Sequence, residues 1–94
     1  MTKINMLNTS KKFFLSPSCV SDNNTTDYVL GILHGHKIPK SAVYKEIDTN
    51  LINSGDYLIR CFGRMIQVWQ IEVIPFGITT RLLENLEGRT ENSN

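Results

Sequence analysis

Between positions 56 and 74, polar and apolar residues follow the two-residue repeat of a strand pair. Asp56-Tyr57-Leu58-Ile59-Arg60-Cys61 and Met65-Ile66-Gln67-Val68-Trp69-Gln70-Ile71-Glu72-Val73-Ile74 flank a turn at Gly63, which predicts an antiparallel hairpin. Its loop is either Phe62-Gly63 or Gly63-Arg64. In both registers Tyr57, Ile59 and Cys61 lie beside Ile66 and Val68 on one face. The opposite face carries Leu58, Arg60, Met65, Gln67, Trp69, Ile71 and Val73, and is more apolar than a solvated sheet surface. The second strand would span about 33 Å at ordinary strand rise. Its end, Glu72 to Ile74, outruns the first strand and needs a further partner, for which 13–15 and 27–34 are the candidates.

Other segments give shorter signals. Lys12-Phe13-Phe14-Leu15, stopped by Ser16-Pro17-Ser18, predicts a strand. Residues 27–34 fit either element: Val29, Ile32, Leu33 and His36 have helical spacing with Thr26 as a cap, whereas Gly31 within a short apolar run favours a buried strand. The strand is the reading adopted. A helix is expected over about 40–53, where Pro39 suits the start, Val43, Ile47 and Leu51 recur every fourth residue, and Gly55 can end it. A second is expected over about 79–87, capped by Thr79 or Thr80, with Leu82, Leu83 and Leu86 as its apolar side and Gly88 beyond. The resulting expectation is an α+β fold: a small antiparallel sheet of three or four strands centred on the 56–74 hairpin, with one or two helices.

At 94 residues the chain is one domain, expected over 12–87, with flexible ends at 1–11 and 88–94. Lys and Arg number 10 against 9 Asp and Glu, so no global field draws the protein to nucleic acid or anionic membranes. Near-neutrality also leaves little repulsion against self-association, and a homodimer is one expected contact. The opening residues hold no apolar run suited to a signal peptide, and no segment reaches the length of a membrane span, so the expected compartment is the cytoplasm. In that reducing setting Cys19 and Cys61 would be free thiols. Frequent Asn, Ile and Lys with a single alanine, Ala42, suit a phage or mobile-element gene.

Candidate chemistry is sparse. His34 and His36, two apart, could share a metal on an extended segment, but no further ligands stand at supporting spacing, so no metal or cofactor is expected. Cys61, Cys19 or Ser41 with a histidine could form a nucleophile–base pair, yet Cys61 falls on the hairpin's apolar face, where a thiol is an inert core residue. The six glycines are dispersed and build no phosphate loop. The sequence therefore points away from an enzyme and toward a small regulator or inhibitor that docks onto a larger protein through Phe62, Arg64, Met65 and Trp69. The competing expectation is a transcriptional regulator that sets a basic helix and a hairpin wing on nucleic acid, using Lys37, Lys40, Tyr44, Lys45, Arg60 and Arg64.

Overall fold

The computed structural model of the chain describes residues 7–87. The parts of the expected flexible ends at 1–6 and 88–94 lie outside those residues. The elements, in chain order, are β1 (Phe13–Leu15), α1 (Asn23–Gly35), β2 (Val43–Tyr44), β3 (Tyr57–Phe62), β4 (Met65–Ile74) and β5 (Gly77–Glu87), with single 3-10 turns at Pro17–Cys19 and Lys40–Ala42.

The sheet has five strands in the order β2-β1-β3-β4-β5. It is mixed: β1 is parallel to both β2 and β3, while β3–β4 and β4–β5 are antiparallel. This overturns the expected all-antiparallel sheet of three or four strands. The cause lies in residues 27–34, which belong to α1 and form no strand. Asp22 takes the N-cap, its carboxylate accepting from the Thr25 N–H at 2.8 Å. Val29 and Leu33, four apart, are buried toward the sheet. Gly31 is tolerated on the outer side, where no atom lies within 4 Å of the position of a Cβ. With a helix between β1 and β2, the two strands become parallel neighbours, as a strand–helix–strand unit requires.

Neither expected helix forms. Over 40–53 the chain makes one 3-10 turn, then β2, and then a run of turns. The polar residues of this stretch bond their own backbone: Asp48 Oδ1 accepts from the Asn50 N–H at 3.0 Å, and Asp56 Oδ2 from the Asn53 N–H at 2.8 Å. Asx chemistry of this kind competes with helix, and Ile47 and Leu51 remain exposed. Residues 79–87 lie within β5. The overhanging end of β4 supplies the template: Ile74 pairs with Gly77 across Pro75-Phe76, and the ladder runs on to Met65–Glu87. Gly77 takes a φ of 145°, a value that side chains rarely allow. A bulge opposite Val68/Trp69 leaves Leu83 as the extra residue. It lets Leu83 and Leu86 pack toward the core while Leu82 stands opposite Trp69 on the other face. Leucine spacing suggestive of a helix stripe is thus met by a bulged strand.

The β3–β4 hairpin closes through Gly63-Arg64, with Phe62 opposite Met65 and Gly63 at φ 61°. One face of the sheet, with Phe13, Leu15, Ile59, Cys61, Ile66 and Val68, packs against α1. Asp56, almost wholly buried, accepts from the Lys12 N–H at 3.1 Å and lies 3.4 Å from the Lys12 ammonium. With its bond from Asn53 it ties the turn segment to the start of β1. Cys19 and Cys61 are joined by a disulfide, their Cα atoms 5.3 Å apart. The expectation of free thiols is therefore corrected: Pro17–Cys19 folds back onto β3 and brings the two sulfurs together.

Candidate functional site

The second face of the sheet carries no helix. Strand register sets Tyr44, Phe14, Leu58, Trp69 and Leu82 in one row across all five strands, and Arg60 and Gln67 in the next row across β3 and β4. The row is sealed at one end, where Phe14 is fully buried and its ring lies 5.3 Å from that of Tyr44. Toward the β3–β4 turn the face opens. Phe62 is 52% exposed and Met65 38%, and the two are direct cross-strand partners.

Arg60 organises this open part. Its guanidinium carbon lies 5.5 Å from the ring centroid of Phe62 and 5.5 Å from that of Trp69. Each such contact is worth about 0.5–1 kcal/mol at an exposed site. The Trp69 indole N–H donates to Gln67 Oε1 at 3.0 Å, which fixes the indole in the face. The result is a platform in which apolar rings flank one permanent cation.

Of the four side chains expected to form a protein contact, Phe62, Met65 and Trp69 share this face. Arg64 does not join them. Its guanidinium carbon sits 5.6 Å from the centroid of the Tyr28 ring on α1, and its carbonyl accepts from the Tyr28 hydroxyl at 2.8 Å. Arg64 therefore closes the hairpin turn onto the helix. Arg60 belongs to the platform but was expected only in the nucleic-acid set. Its place was readable from parity with Phe62 on β3.

The residues of the nucleic-acid expectation do not lie on a helix. Lys37 follows α1 in a left-handed turn at φ 71°, Lys40 begins a 3-10 turn, and Tyr44 ends β2 with Lys45 next to it. The basic helix of that reading is absent because its residues are turn and strand. His34 and His36 lie at the C-terminal end of α1, not on an extended segment. Among the described residues, no three His, Cys, Asp or Glu side chains gather as metal ligands. The Thr25 backbone N–H and hydroxyl hold the Asp22 carboxyl below its ordinary value.

A further apolar region lies at the far end of the β4–β5 hairpin. Every residue from 72 to 82 is exposed, Val73, Ile74, Phe76 and Ile78 among them, and Phe76 at the tip is 97% exposed. The sequence held a signal for it in Ile74-Pro75-Phe76-Gly77-Ile78, a Pro-x-Gly turn between apolar residues. The described surface also has shallow hollows. One of about 270 Å³ lies at the base of this arm between Ser54, Gln70 and Arg81, and one of about 350 Å³ between Leu15, Val20 and Ile47. Among the described residues, no helix is long and apolar enough to cross a membrane. Comparison with family models, with curated proteins and with solved structures gave no match.

Proposed function

We propose that this protein is a non-enzymatic regulator or inhibitor that works by docking onto a larger protein, and that the helix-free face of its sheet is the contact surface. The observation that carries this reading is the exposed cluster of Phe62 and Met65 beside Trp69, held around the Arg60 guanidinium. Aromatic residues, Met and Arg are the side chains enriched at protein interfaces, and Trp and Arg are frequent anchors within them. A pre-ordered platform loses little side-chain freedom on binding, which favours affinity.

A second reading draws on three of these four side chains. Phe62 and Trp69 on an open sheet could stack the bases of a single strand while Arg60 meets its phosphates. A net charge of +1 gives this reading little long-range attraction. Protein docking is the better supported.

The cytoplasmic setting expected from sequence needs the Cys19–Cys61 bond to withstand a reducing pool. Burial of both sulfurs within the core supports that resistance by limiting thiol access. An oxidising compartment would maintain the bond without such shielding.

The test is a photo-crosslinker placed at Phe62, with one at Asp27 on the exposed side of α1 as control, in cells of the native host. Docking predicts a discrete protein adduct from position 62 and none from 27. Adducts with nucleic acid at 62 and none at 27 would support the second reading. The same adducts from both positions would contradict both.

A further inference from the structure

We propose that the chain pairs with a second copy of itself through the free edge of β5, antiparallel and symmetric about Thr80. Among the described residues no strand occupies the outer edge of β5, the last strand of the sheet. That edge is eleven residues long, and its unpaired N–H and C=O groups are a template for another strand. Edge strands are usually blunted by Lys, Pro, charge or a bulge. In β5 the bulge comes at Leu83, and before it the run Gly77-Ile78-Thr79-Thr80-Arg81-Leu82 holds one charge and no proline.

The arm itself calls for a cover. From residue 72 to residue 80 it is a two-stranded ribbon with every side chain exposed. A ribbon of two strands alone is marginal in water. Adding a third strand along β5 is the direct way to support it.

The side chains identify the third strand as a second copy. A two-fold axis normal to the sheet pairs residues whose numbers have a constant, even sum. Centred on Thr80, it sets Thr80 against Thr80 once, and Thr79 against Arg81 and Ile78 against Leu82 twice each. Ile78 and Leu82 are 49% and 42% exposed and lie on one face, opposite Val73 and Trp69. Their cross-strand contact would cover both and extend the platform's apolar row into the partner. The neighbouring registers are worse. Centring on Arg81 or Glu84 opposes like charges, and centring on Leu82 or Leu83 runs across the bulge. Centring on Thr79 sets Leu82 against Phe76 in the turn. With a net charge of +1 per chain, the two copies scarcely repel.

Sedimentation of the full chain over a range of concentrations reads the association, and a cysteine scan reads its register. The wild type is expected to sediment at twice its 10.7 kDa chain mass. Ile78→Lys, at an exposed position, should weaken the dimer at least tenfold while leaving the circular dichroism unchanged. Thr80→Cys should form a covalent dimer on mild oxidation. Arg81→Cys should not, because its two copies would stand too far apart for a disulfide in this register. A wild type that stays at monomer mass at every concentration overturns the proposal. So does a dimer indifferent to Ile78→Lys, or one that cross-links at 81 and not at 80. The docking reading makes no claim on any of these results.

Discussion

Cys61 and Phe76 stand on neighbouring hairpins of one sheet, in opposite surroundings. Cys61 is bonded to Cys19, lies in the core and has α1 packed over its face of the sheet. Phe76 sits at the end of a ribbon whose residues 72–82 are all exposed. The first region is over-determined: a disulfide, a capped helix and the buried Asp56 all hold β1 and β3 in place. The arm is held by the β4–β5 ladder and by the Val73 N–H, which donates to Ser54 Oγ at 2.7 Å. Stability is therefore concentrated where the chain is tied to itself, and the arm, which is tied least, exposes Val73, Ile74, Phe76, Ile78 and Leu82. The platform at Phe62 and Met65 thus rests on the tied half, whereas the apolar residues of the arm stand on its least supported part.

The largest expected effect that sharpens this contrast is loss of the disulfide. Its residues are 42 apart in sequence, and closing a loop of that size contributes about 4 kcal/mol at 25 °C. Urea unfolding of Cys19→Ala/Cys61→Ala should show a loss of that order. A loss below about 1 kcal/mol would mean that the helix-covered half does not depend on the tie. Next is Asp56→Asn, which leaves one of the two backbone N–H groups bonded to this carboxylate facing an amide donor and weakens the Lys12 pair. It should cost about 1–3 kcal/mol in the same assay. Phe76→Ser, at the bare end, should move stability by less than about 0.5 kcal/mol. A larger loss would show that the arm packs on the body and would break the comparison.

The smallest effect concerns acid. Asp22 has its carboxyl lowered in the folded state by the Thr25 N–H, so its contribution is present above the ordinary Asp range and disappears as pH falls through the lowered value. Asp22→Ala should therefore flatten the acid limb of the stability–pH curve slightly, with melting followed from neutral to acid pH. An unchanged limb would show that the cap contributes nothing measurable.

The parts of this molecule that were readable in the sequence are those in which local pattern and tertiary role agree. The alternation from Tyr57 to Ile74 shows the hairpin and the face shared by Met65 and Trp69, because parity in a strand leaves no choice, while the place of Phe62 depended on which residues form the turn. The rest was hidden by competing local signals. Gly31 weakens the helical pattern of 27–34, while the residue that fixes the helix, Asp22, stands before the apolar run. Val43, Ile47 and Leu51 keep helical spacing, yet Val43 is claimed by β1 and Asp48, Asn50 and Asn53 by turns. Leu82, Leu83 and Leu86 imitate a helix stripe because a single bulge changes the side on which the strand's leucines fall. The disulfide follows from the turn at Pro17–Cys19, which no spacing of two cysteines announces.

The open face of the sheet is the centre of this account, and one pair of substitutions addresses it. Phe62→Asp/Met65→Asp places charge on two exposed positions of the platform and leaves the α1-covered core untouched. Tagged wild-type and variant chains, recovered from the native host and compared by mass spectrometry, should differ in one respect. The account predicts a partner protein retained by the wild type and lost from the variant, at an unchanged unfolding midpoint. A partner held equally by both chains would contradict it.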